Sequence, residues 1–187
     1  MRLQRIYRSF TGNFNRLVIF MRNELVRRMA SNAIVAALYF ALTLLVAPIA
    51  FSQIQIRISE FLVLICFFRK DYAIGLTIGC ALANLFSPMM PWDLVFGTIA
   101  TLIACVGIMF CKHLFIATLC PVIANGFIIA WELNFVYDLP YWVNVGWVAL
   151  GELISVAVVG YIIFMLLKKN KRFFELIGRN QNENFEW

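Results

Sequence analysis

Histidine occurs once in these 187 residues, acidic residues ten times, and charged residues of every kind make up only 14%. A soluble globular domain carries about 25% charged and about 45–50% apolar residues. A chain that is 63% hydrophobic, with a mean hydropathy of +0.83, is a polytopic membrane protein with no soluble domain. It has no G-x-x-x-x-G-K-[ST] loop, so it cannot hydrolyse ATP by itself. H-E-x-x-H and G-x-S-x-G are also missing, which leaves a membrane enzyme without a nameable reacting group. The five cysteines, Cys66, Cys80, Cys105, Cys111 and Cys120, form no C-x-x-C pair. They read as small buried hydrophobes rather than as a disulfide or metal framework. His113 stands beside Lys112 in a turn and reads as an interfacial loop residue rather than a proton relay. No secretory cleavage pattern precedes the first apolar stretch, and Met21 offers an alternative start. No cofactor and no metal is expected.

What is present is a series of long apolar runs. The hydropathy pattern predicts an all-α bundle of six transmembrane helices over 29–168, at about 29–48, 56–68, 72–86, 92–111, 114–137 and 141–167. A length of about 20 residues crosses a ~30 Å hydrocarbon core. The second run is shorter and opens with charge, as a partly inserted or tilted helix would. Ser87-Pro88 and Pro91 stop the third run, and Pro121 lies within the fifth. Residues 1–28 form a basic segment, with seven arginines against Glu24. An amphipathic surface helix and a weakly ordered extension are both open for it. Residues 169–187 form a basic and polar tail. Arginine and lysine occur in the N-terminal segment, at Arg69-Lys70, at Lys112 and after 167; the connections 49–55, 87–91 and 134–141 have none. The positive-inside rule then places both termini in the cytoplasm.

Five charged side chains interrupt these runs: Arg57, Glu60, Asp93, Glu132 and Glu152. Each costs roughly 2.5–3.5 kcal/mol at a bilayer centre, and an ionisable residue kept there marks a substrate, ion or proton site. With Asn84 and Asn125 they fall in the outer half of the predicted bundle. Blander readings stay open. Arg57 and Glu60 are three residues apart and would neutralise each other. Asp93 suits a helix N-terminus. The asparagines suit interhelical contact. Trp131 and Trp147 are expected to flank the acids and stack on a planar ligand, while Tyr141 and Trp142 suit an interfacial belt. Carboxylates between aromatic faces describe a pocket for a nitrogen-rich heterocycle. Small residues form two stripes. Gly75, Gly79 and Ala83 read as packing inside the bundle; Ala33, Ala37 and Ala41 read as a docking face for another membrane protein.

The stretches "IQIRISEFLVL" at 54–64, "IGLTIGCALANLFSP" at 74–88, "DLVFGTIATLIA" at 93–104, "PVIANGFIIAWEL" at 121–133 and "LGELI" at 150–154 resemble the queuosine-precursor transporter family. Its members are substrate-binding S components of energy-coupling factor (ECF) importers. The resemblance implies a six-helix S component in the bacterial cytoplasmic membrane. It implies as partners a membrane scaffold subunit, EcfT, met through the alanine face, and two cytoplasmic ATPases. It implies a 7-deazaguanine substrate, such as queuine or its aminomethyl precursor. Substrate-binding residues are then Arg57, Glu60, Asn84, Asp93, Asn125, Trp131, Glu132, Trp147 and Glu152. An S component for another vitamin and a stand-alone proton-coupled transporter are the alternatives.

Overall fold

The computed structural model describes residues 2–51 and 55–177. The rest of the first connection, 52–54, and the tail from 178 onward lie outside the described residues. Every regular element among those described is helical: α1 (Arg2–Leu45), α2 (Ala47–Ala50), a 3-10 segment (Ile58–Leu64) running into α3 (Ile65–Phe68), α4 (Tyr72–Asn84), α5 (Trp92–Phe110), α6 (Leu114–Tyr137), α7 (Tyr141–Glu152), a π-helical segment (Leu153–Gly160), α8 (Tyr161–Leu167) and α9 (Lys171–Ile177). Four runs are long and apolar enough to cross a membrane: Asn23–Leu45, Trp92–Phe110, Leu114–Tyr137 and Tyr141–Leu167. The two shorter runs, Ile58–Phe68 and Tyr72–Asn84, each reach only about 20 Å at the rises of 3-10 and α-helices.

The surface is inverted relative to a soluble protein. Leu45, Phe110, Trp142 and Leu166 are each more than 70% exposed, whereas Glu60, Asn84 and Glu132 are fully buried. Apolar side chains outside and polar ones inside suit a hydrocarbon solvent.

Helix α1 is continuous through residues 28 and 29, where the basic segment meets the first apolar run. At 44 residues it is about 66 Å long. It packs against α4, α4 against α5, α5 against α6, and α6 against α7. The run 58–68, whose length suggests a partly inserted or tilted helix, is an inner helix of the bundle. It lies in the middle of the bundle, touching α1, α4, α5, α6 and the π segment. Nine of its eleven residues are buried. Enclosure by protein accommodates its shortness, because an inner helix is surrounded by other helices rather than by lipid.

Gly75 and Gly79 set the α1–α4 contact, as the small-residue stripe suggests. A Cβ on Gly75 would lie 2.5 Å from the Asn32 carbonyl oxygen, and one on Gly79 would lie 2.7 Å from that of Ala36. Asn32 Oδ1 also accepts the Gly75 N–H at 2.9 Å. Backbone cannot retreat from such contacts cheaply. Gly79→Val should therefore lower the melting temperature by several degrees, an overpacking cost of about 1–3 kcal/mol. Gly146, whose Cβ would meet nothing within 4 Å, is the control. Gly146→Ala should melt no lower than the parent, because alanine favours a helix interior.

The two ends of the bundle differ. Around Arg69 the interior is apolar: Ile65 to Phe68, Leu76, Ile108, Leu114, Phe164 and Ile177 form one cluster. Part of the tail expected to be polar contributes to it. Helix α9 folds back so that Ile177 is buried and its carbonyl accepts Arg69 Nη1 at 2.8 Å and the Tyr72 hydroxyl at 3.2 Å. Asp71 holds the same guanidinium at 2.5 Å. The phenylalanine at 173 meets Phe164 edge-on at 6.0 Å. The apolar residues Phe173 and Ile177 were the sequence signal for this helix. The polar interior lies toward the opposite end.

A buried acid cluster as the candidate functional site

Five elements bring the polar residues together. Arg57 precedes the 3-10 segment and Glu60 lies in it. Asn84 ends α4, Asp93 opens α5, Asn125 and Glu132 share α6, and Glu152 ends α7. None of these seven is more than 5% exposed. Asn125 and Glu132 are seven residues apart, two helical turns, so one face of α6 presents both. That face is the buried one.

Arg57 does not pair with Glu60 as their spacing suggests. Its Nη2 faces Asp93 Oδ1 at 3.7 Å. Its Nε reaches the Ala50 carbonyl at 3.5 Å, and its guanidinium lies 5.5 Å from the centre of the Phe51 ring. The backbone at 57 is extended (φ −97°, ψ 93°), so the i,i+3 geometry of an α-helix does not apply. Asp93 is therefore more than a helix-terminal acid: it holds the buried cation and accepts a hydrogen bond from Ser87. Asn84 ties α4 to α5, donating to the Asp93 carbonyl at 2.9 Å and to Cys80 Sγ at 3.3 Å.

Glu60 is held from α1. Tyr39, fully buried, donates its hydroxyl to Glu60 Oε1. One turn on, Thr43 and Ser59 share a hydrogen bond at 2.6 Å. The first span thus donates no charge to the cluster but does donate a phenol. Its other side is as the alanine stripe suggests: Ala33, Ala37 and Ala41 are exposed. Ala33 and Ala37 line a shallow apolar groove of about 490 Å³ with Phe40 of α1 and Ile74, Ile78 and Leu82 of α4.

The acids differ in how far they are satisfied. Glu152 accepts the Asn125 amide at 2.7 Å on Oε1, while its Oε2 has no donor. Neither oxygen of Glu132 meets a donor; its carboxyl lies against the Asp93 carboxyl, within reach of a shared proton, and Arg57 is its cationic neighbour. Four buried acids share one buried guanidinium. Buried polar atoms normally find partners, so an acid without one inside an apolar bundle marks a candidate functional site.

Trp131 and Trp147 are not drawn into this cluster. They are 50% and 42% exposed. Successive helix positions point about 100° apart, so a tryptophan next to Glu132 faces away from it. Trp131 instead joins an aromatic group on the bundle surface, edge-on to Phe96 at 5.1 Å and stacked on Phe135 at 5.6 Å.

Tyr39, Gly97, Cys80 and Thr101 escaped the reading by sequence. A Cβ on Gly97 would lie 2.6 Å from Asn84 Nδ2 and 3.4 Å from Arg57 Nη1, so glycine leaves room for Asn84 to reach the α5 backbone with Arg57 packed beside it. Cys80, expected to be a plain hydrophobe, also accepts Thr101 Oγ1 at 3.2 Å. Gly97 stood inside one of the recognisable stretches; nothing marked Tyr39 among the other aromatics. All five cysteines are free thiols.

Among solved structures none matches this chain. The queuosine precursor transporter QueT of Lactococcus lactis subsp. cremoris (strain MG1363) is 34% identical over 156 residues, covering 73% of this chain and 90% of the relative. The model of the QueT transporter family matches residues 29–169. That interval contains every element of the acid cluster, and the chain belongs to the QueT transporter family.

Proposed function

We propose that this protein is the substrate-binding S component of an ECF-type importer and that the acid cluster captures a queuosine precursor, a 7-deazaguanine. The observation that carries the reading is Glu132, fully buried with both carboxyl oxygens free of donors. A guanine-type edge offers two parallel N–H groups in one plane, and a carboxylate accepts such a pair bidentately. Arg57, Asp93 and Asn84 hold that wall of the site in place. Glu60 and Glu152 supply further negative charge for a cationic side arm.

In this reading the chain crosses the membrane six times, with the two shorter helices packed inside the bundle. Both termini are cytoplasmic in the bacterial plasma membrane. The basic residues at one end of the bundle support that orientation. The acid cluster then opens toward the outside, and Trp131 and Trp147 belong to the aromatic belt. With no phosphate loop in the chain, ATP is hydrolysed by two partner ATPases. A scaffold subunit, EcfT, docks on the exposed Ala33, Ala37 and Ala41 face. Ala37→Trp should leave ligand affinity unchanged and abolish ATP-dependent uptake by the assembled importer. Lost binding with intact assembly would place that face inside the bundle's own packing.

Mass spectrometry of ligand retained by protein purified from cells supplied with queuosine precursors tests the substrate class. A deazaguanine mass supports the reading; an unrelated vitamin in its place overturns it.

A further inference from the structure

We propose that Glu152 and Ser155 form a separate seat for a primary ammonium group on the ligand. The inference rests on the substrate reading above and assigns one part of the site. The two glutamates differ in what they leave open. Glu132 offers two free oxygens, which suits a planar pair of N–H donors. Glu152 has one oxygen occupied by the Asn125 amide and only Oε2 free. Three residues further on, Ser155 Oγ is also buried without a partner. These residues are 2% and 1% exposed. One carboxyl oxygen and one hydroxyl match a point cation with freely rotating donors better than a flat edge.

The local backbone supports a built site. Glu152 ends α7, and the next eight residues are π-helical. Such segments are rare and recur at functional sites. Close packing holds this one in place: a Cβ on Gly160 would lie 3.0 Å from the Phe61 Cβ of the central helix. No salt bridge from a described residue reaches Glu152; Arg57 acts on it only at longer range. Among the described residues the ion pairs are Arg27–Glu24, Arg57–Asp93 and Arg69–Asp71.

The test is calorimetry with two probes, 7-deazaguanine bearing an aminomethyl group on carbon 7 and the same ring bearing a methyl group. Wild-type protein should prefer the aminomethyl ring by at least about ten-fold, the scale of a charge-assisted hydrogen bond. Glu152→Gln should shrink that preference to within about three-fold while keeping the methyl ring's affinity. Ser155→Ala should reduce the preference part of the way at an unchanged melting temperature, and it carries the test should Glu152→Gln fail to fold. A preference that survives in the variants, or two ligands weakened equally, overturns the ammonium seat alone. Wild-type protein that binds neither probe overturns the substrate reading and the seat with it.

Discussion

Arg57→Ala should destabilise the ligand-free protein more than any other single change in the acid cluster. Among the described residues of the acid cluster this guanidinium is the one buried cation, set among four buried acids, and Asp93 faces it at 3.7 Å. Removing one partner of a buried ion pair costs about 3–5 kcal/mol because the other charge is left uncompensated. For a chain of this size that corresponds to a fall of roughly 6–20 °C in melting temperature. The cause is Asp93, not Glu60, which has Tyr39 for a partner. The two assignments separate in double variants. Adding Asp93→Asn to Arg57→Ala should recover part of the loss, whereas adding Glu60→Gln should recover less. The reverse order would return Arg57 to the i,i+3 partner that its spacing suggests.

Glu132→Gln should do the opposite. Neither of its oxygens has a donor, so a neutral isostere relieves an unpaired buried acid and the ligand-free protein should melt no lower. Binding should suffer, because an amide presents one acceptor and one donor where the ligand edge needs two acceptors. The loss of a charge-assisted pair is about 1.5–3 kcal/mol, or roughly ten- to hundred-fold in affinity. Weakened binding at undiminished stability is the signature of a residue kept for its ligand. A variant that melts early and binds normally would make Glu132 a structural acid.

The membrane character, the position of most helices and the seven residues of the cluster were legible in the sequence, because charge within an apolar run stands out against its surroundings. The Gly75 and Gly79 stripe was legible too, since a four-residue spacing of small residues lets two helices approach closely. What was not legible depends on tertiary context. The central run is 3-10 over 58–64 and enclosed by other helices, and 153–160 is π-helical, neither with a mark in its composition. Arg57 was assigned to Glu60 on α-helical spacing that its extended backbone does not obey. Tyr39 and Gly97 act on residues 21 and 13 positions away, distances over which sequence pattern carries no pairing information. Trp131 was read as a neighbour of Glu132 when adjacency on a helix turns it away.

A buried, acid-lined site in the membrane is expected to read the donor edge of a deazapurine without help from ATP. Calorimetric titration of the purified protein, with no nucleotide and no partner subunits, measures it directly. Queuine and the aminomethyl deazaguanine should bind saturably, guanine more weakly, and adenine not at all, since adenine lacks the paired N–H donors. Adenine binding as tightly as queuine would rule out recognition of the paired N–H edge by the buried acids.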